Sequence, residues 1–184
     1  VWIGPRARVN PQAWLRAGTS LARECRAGGE IEATVMEAFA NKPHDGFLGH
    51  SHVGSWVNVA AGTVTGNLKA TYGLVRLHDP APDGGRTTVD TRRQFCGGFI
   101  GDFVRTAINT SIPCGARIGV GATIGGAVAE RVAPFTNLLL PGEPRATAEQ
   151  AAIVLERMMA RRNLPLLEAD RLLLAALAGE QAVG

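Results

Sequence analysis

Three of the four histidines crowd into one short segment, Asn41-Lys-Pro-His-Asp-Gly-Phe-Leu-Gly-His-Ser-His52. Histidines at this density raise two chemistries, metal ligation and proton transfer. Zinc takes three or four ligands, and no carboxylate or fourth donor is spaced to complete a set with His50 and His52. Those two read as polar residues of one exposed strand, and no metal is expected. His44 lies apart from them in a Pro/Gly-rich turn, which also counts against a shared metal set. Imidazole titrates near pKa ~6.5 and is suited to taking a proton at neutral pH.

The elements that position these groups follow from a beat of six. Ile3, Val9, Leu15 and Leu21 are six apart, and so are Ile100, Thr106, Ile112, Ile118 and Ile124. Phe47, Val53 and Val59 keep the same interval. A second register of small residues runs four behind: Ala7, Ala13, Thr19 and Cys25, then Val104, Thr110, Ala116, Ala122 and Val128. Neither a helix nor a single strand has this period. Tandem hexapeptides are the mark of a parallel β-helix, with one short strand and one corner per hexad. Ala27-Gly28-Gly29 interrupts the beat, which resumes out of phase at Ile31 and Val35.

Residues 68–98 break the pattern again and predict a protruding hairpin. Its strands are expected at Tyr72–His78 and Thr87–Phe95, around a turn at Pro80–Gly85. From residue 141 the composition becomes helical. Thr147-Ala-Glu-Gln150 is a capping-box pattern, Ala151, Leu155, Met158 and Met159 give one apolar face, and a second helix carries Leu166, Leu173, Leu174 and Leu177. The expected organisation is a β-helix over 1–140 and a helical tail over 141–184. The tail is expected to cover an open end of the β-helix or to pack on a neighbouring subunit.

Among the 184 residues, 46% are hydrophobic and none form a run long enough to span a membrane. A net charge of +3 without a basic cluster argues against a nucleic-acid partner. Three widely spaced cysteines, Cys25, Cys96 and Cys114, with no CxxC indicate neither a disulfide framework nor a zinc ribbon, and suggest a reducing, cytoplasmic compartment. Val1 begins inside a repeat without a polar cap, so the chain is expected to be the C-terminal part of a longer one.

The segment His44-Asp-Gly-Phe-Leu-Gly-His-Ser-His-Val-Gly54, followed by Val57-Asn-Val-Ala-Ala-Gly-Thr-Val-Thr-Gly-Asn67, resembles the C-terminal domain of the bifunctional glucosamine-1-phosphate acetyltransferase/UDP-N-acetylglucosamine pyrophosphorylase. That family carries GHxxYLGDAxIG and then VNIGAGTITxNYDG, and the spacing from His44 through Asn58 to Asn67 matches without gaps. Asn41-Lys-Pro-His, Asn67-Leu-Lys-Ala-Thr-Tyr-Gly73 and Gln94-Phe-Cys-Gly97 are closer still to a bacterial branch of sugar nucleotidyltransferase-like proteins. The resemblance covers about residues 1–130.

It implies a left-handed parallel β-helix, assembled as a homotrimer with sites between subunits. It implies an acetyl-CoA-dependent N-acetyltransferase acting on an aminosugar phosphate in UDP-N-acetylglucosamine biosynthesis. His44 falls on the family's general base. Arg16, Lys42, Phe47, Asn58, Asn67, Lys69 and Tyr72 fall in or beside the sugar-phosphate motifs. Ala107, Asn109, Gly119 and Ala122 fall along the acetyl-CoA coil. Two departures stand out: the phosphate-binding lysine pair is replaced by Glu32-Ala33, and the family tyrosine by Phe47. They leave open a non-catalytic trimerisation or regulatory domain of a sugar-1-phosphate nucleotidylyltransferase. A metal-dependent, carbonic-anhydrase-like hydratase is the third reading.

Overall fold

A computed structural model describes residues 1–80, 85–142 and 144–179. Stacked parallel coils form a β-solenoid of about seven turns, followed by two short helices. The first face is a seven-stranded parallel sheet made by Trp2–Ile3, Ser20–Leu21, Val35–Met36, His52–Val53, Phe99–Ile100, Arg117–Ile118 and Arg131–Val132. The second face stacks Arg8–Val9, Arg26–Ala27 and Asn41–Lys42. Bridges through Asn58 carry it on to Arg105–Thr106 and Thr123–Ile124. The third face stacks Trp14–Leu15, Glu30–Glu32 and Phe47–Gly49, then Val64–Thr65 with Ser111–Ile112.

The second residue of most strands points inward. Leu21, Ile31, Met36, Leu48, Val53, Ile100, Ile112, Ile118 and Ile124 form the core with the small residues Thr19, Cys25, Ala40, Val57, Val104 and Ala116. Each fully buried aliphatic side chain contributes roughly 1.5–3 kcal/mol, which is why the beat survives wherever a corner has full length.

Shortened corners change which residue points inward. From Arg26 to Glu30 the step is four residues, and a Cβ at Gly28 would lie 2.2 Å from the Pro43 carbonyl oxygen of the next coil. A similar cut at Gly125–Gly126 moves Val128 out of the small register. It joins the third face beside Ile112, its N–H donating to Ser111 O. Two expectations are corrected for the same reason: Met36 rather than Val35, and Leu48 rather than Phe47, point inward.

The hairpin is present between the fourth and fifth coils, but its strands are Arg76–Pro80 and Arg86–Asp90, both shorter than expected, the first starting four residues later and the second one residue earlier. The turn expected at 80–85 falls largely on residues 81–84, outside the described residues. Asp79 ties the hairpin to the coils through Arg117 and Arg131.

Helix α1 spans Ala148–Ala160 and opens on the expected box: Gln150 N–H donates to Thr147 Oγ1 and Thr147 N–H to Gln150 Oε1. Helix α2 spans Glu168–Ala178 and ends at Gly179 with φ 73°. The pair lies along the flank of its own solenoid, not across an open end. Ala148, Ala152, Leu155 and Leu174 pack on Phe135, with Trp56, Phe103 and Val120 at the margin. The C-terminal end of α1 reaches the second coil, where Arg162 donates to Glu24 O. Phe39, Trp56, Phe103 and Phe135 all sit in corners between the first and second faces at positive φ. This aromatic column gives the tail its docking surface. Leu173 and Leu177, expected to be apolar contacts of α2, are exposed, and Leu174 alone among the three is buried.

Candidate functional site

His44 occupies the corner between the second and third faces in the third coil, and its side chain is exposed. The backbone beneath it is held on two sides. Asn10 Nδ2 donates to Pro43 O at 2.8 Å, and Lys42 Nζ donates to Gly28 O at 2.8 Å and His44 O at 2.9 Å. Lys42 takes the inward position of its strand and is 1% exposed. Its ammonium is thus inside the prism, where it pins the His44 turn and does not face a ligand outside. Burial pushes its pKa down to about 8.

On the third face, Phe47 points outward and its ring folds over Gly49, where an added Cβ would lie 2.3 Å from the ring. Asn67 Nδ2 closes on the same space and lies at hydrogen-bond distance, 3.0 Å, from His50 Nδ1. His50 stacks on Phe95 at 5.3 Å between centroids. Sequence reasoning missed His50 and Phe95 here. The signal available was positional: His50 sits at a corner, at φ 50°, one residue after Gly49.

Arg16 stands on the third face above these groups, stacked on Trp14 and bridging Glu30 Oε1 and Glu32 Oε2, both at 3.0 Å. The carboxylate at the family's lysine place is therefore Arg16's own counter-charge. One cation and two anions leave this patch net negative.

Asn58 is separate from Asn67. It lies on the second face and accepts from Asn41 Nδ2 at 2.7 Å, beneath the C-terminal half of α1. Lys69 Nζ donates to Leu74 O, and Tyr72, 70% exposed, packs its backbone against Lys69 and Gln94 at the hairpin base. Neither is in contact with His44.

Two of the four cofactor candidates share the His44 corner. Ala107 and Asn109 lie at the corner between the second and third faces in the fifth coil, two coils from His44, or about 10 Å at the ~4.8 Å strand spacing. The edge between is built from small residues. The coil between contributes Ala60-Ala61-Gly62, where a Cβ at Gly62 would lie 2.1 Å from Asn109 Oδ1. One coil beyond Ala107, a Cβ at Gly125 would lie 3.1 Å from the Ala107 methyl and 2.5 Å from the Leu139 side chain. Gly119 lies elsewhere, on a first-face groove with Phe99, Arg117 and Pro134, and Ala122 is inside the prism with no exposure. The histidines are likewise dispersed. His52 is on the first face, 3.4 Å from Glu37 Oε1, and among the described residues no group of three or more His, Cys, Asp or Glu could hold a metal ion.

Stacked hexapeptide coils with an inward aliphatic ladder, an exposed corner histidine and a small-residue edge define a hexapeptide-repeat protein with a left-handed parallel β-helix. No protein-family model matches the chain. Sequence comparison is more specific: the chain is homologous over about four fifths of its length to bifunctional GlmU proteins. It is 31% identical over 150 residues to that of Bordetella parapertussis, covering 80% of this chain and 28% of the relative. It is 34% identical over 125 residues to a bifunctional sugar-1-phosphate nucleotidylyltransferase/acetyltransferase of Sulfurisphaera tokodaii, covering 66% of this chain and 30% of the relative. The chain thus spans less than a third of the curated relatives it matches. Among solved structures, AntD, an N-acyltransferase from Bacillus cereus in complex with dTDP and 3-hydroxybutyryl-CoA, superposes with a TM-score of 0.58 at 11% identity, over 88% of this chain and 90% of that one.

Proposed function

We propose that this chain transfers an acetyl group from acetyl-CoA to the amine of an aminosugar phosphate, as one part of a sugar-nucleotide enzyme. The observation that carries the reading is His44 on an exposed corner, in line with the small-residue corners at Ala60-Ala61-Gly62 and Ala107. Homology to GlmU proteins and the fold shared with AntD support it. The thioester arm lies along the edge with its carbonyl toward His44. The imidazole takes a proton from the sugar ammonium, and the free amine attacks the thioester carbon. The tetrahedral oxyanion collapses to the amide and the C–S bond breaks, while the second proton of the attacking nitrogen passes to the sulfur, so that CoA leaves as the thiol. Corner backbone N–H groups are the available oxyanion donors. The sugar rests on the third face against Phe47 and Asn67, with Asn67 oriented by His50. Assembly as a homotrimer completes the groove along the edge. The three free thiols fit a cytoplasmic setting.

Glu32 favours a second reading, in which the domain only assembles or regulates an attached nucleotidylyltransferase. Its carboxylate, with that of Glu30, occupies the arginine that a phosphate would need. Thiol release from acetyl-CoA across a panel of aminosugar phosphates separates the two. Acetyl transfer that His44→Ala abolishes supports the enzyme. No turnover with any aminosugar, in protein of normal fold and oligomeric state, overturns it and leaves the second reading.

A further inference from the structure

Away from the His44 corner, α1 and the second face flank an open-sided cleft of about 170 Å³. Its walls carry four guanidinium groups: Arg26 and Arg105 from the solenoid, Arg161 and Arg162 from the end of α1. The trough that adjoins it adds Arg6, Arg8 and Arg23, and Glu24 is the one acid among the residues lining either space. Glu24 is already engaged by Arg6 and Arg162. Arg26, Arg105 and Arg162 are half-buried and Arg161 is exposed, so water screens their mutual repulsion only in part. Burial, followed by the field of Arg26, lowers the pKa of Arg162, and burial lowers that of Arg105. Arg26 Nε and Asn41 Oδ1 are buried without a hydrogen-bond partner among the described residues. What the cleft itself offers is an excess of positive charge, which an anion would offset.

We propose that the cleft between α1 and the second face binds a diphosphate-bearing anion through Arg26, Arg105, Arg161 and Arg162. Arg105 Nη2 already donates to Thr123 Oγ1 and Gly121 O, and Arg162 Nη1 to Glu24 O, so these two offer their remaining N–H groups. The fork geometry of arginine matches phosphate oxygens two at a time, so four guanidiniums suit two linked phosphates better than one. The site bridges the solenoid and the tail, so its ligand also fastens α1 to the coils. It stands apart from the acyl-transfer reading, since the cleft and the His44 corner share no residue. The diphosphate could be free or carried by a nucleotide.

Calorimetric titration of the protein with inorganic pyrophosphate and, separately, with UDP tests this. One saturable site per chain is expected, weakening as salt rises. Arg26→Gln and Arg161→Gln each weaken it by about tenfold, the loss of one charge-assisted pair. Arg76→Gln, on the distant hairpin, and His44→Ala leave it unchanged. Tighter binding of UDP than of pyrophosphate assigns the diphosphate to a nucleotide, and equal binding assigns it to the free anion. Arg161 is exposed at a helix end, so its variant keeps the test intact if Arg26→Gln fails to fold. Absence of saturable binding in the millimolar range, or equal weakening by Arg76→Gln, overturns the proposal.

Discussion

Replacing Lys42 by methionine keeps the length of the side chain and removes the one ammonium inside the prism. In the wild type, the pKa of Lys42 is lowered from 10.5 to about 8 because burial disfavours the charged form. The unfolded chain therefore binds more protons than the folded one between those values. Stability rises with pH across that window, and the full penalty is present below pH 8. A shift of ~2.5 units corresponds to about 3 kcal/mol, of which about 2 kcal/mol is recovered between pH 7 and pH 9.5. Methionine removes this penalty but strands the carbonyls of Gly28 and His44, at roughly 1–3 kcal/mol each. The two effects nearly cancel at pH 7, so the net change there is small or modestly destabilising. The pH dependence does not cancel. Urea unfolding followed by tryptophan fluorescence, at fixed protein concentration, should show the wild type gaining about 2 kcal/mol on the variant between pH 7 and pH 9.5. Cysteine ionisation opposes this trend but is common to both proteins and drops out of the difference. Stability curves that run parallel over this range would refute a buried, largely charged Lys42.

Gly28→Ala places a methyl against Pro43 O at 2.2 Å. The His44 turn must move, so acetyl transfer should fall at least tenfold while circular dichroism still reports a β-helix. Thr147→Ala removes the N-cap of α1 and should cost about 1 kcal/mol, read as earlier proteolysis of the tail in a cleavage time course with the solenoid intact.

The beat of six was legible because burial acts alike on every full-length hexad, and the family motif around His44 because its spacing is local. The homopolar pair Asn41–Asn58 and the pair Asn67–His50 were not, since each joins neighbouring coils whose residues lie 17 apart in sequence. The tail's helices and capping box were written in sequence, yet their place was not. An amphipathic helix states that one face must be covered, and only the aromatic corner column says by what.

Sequence alone determined the solenoid, the turn that carries His44 and the two helices, because these rest on periodicity and short-range capping. The tertiary structure decided which side of the wall each residue faces. A strand's side chains alternate, so a corner shortened by one residue exchanges inside for outside. That is how Leu48 displaced Phe47 from the core, and Phe47 came to stand beside Asn67 on the outer wall. The fold likewise turned Lys42 inward as a brace for His44 and set Glu32 against Arg16. It gathered arginines from both ends of the chain around one cleft, because α1 runs back along the coils from which the first of them come.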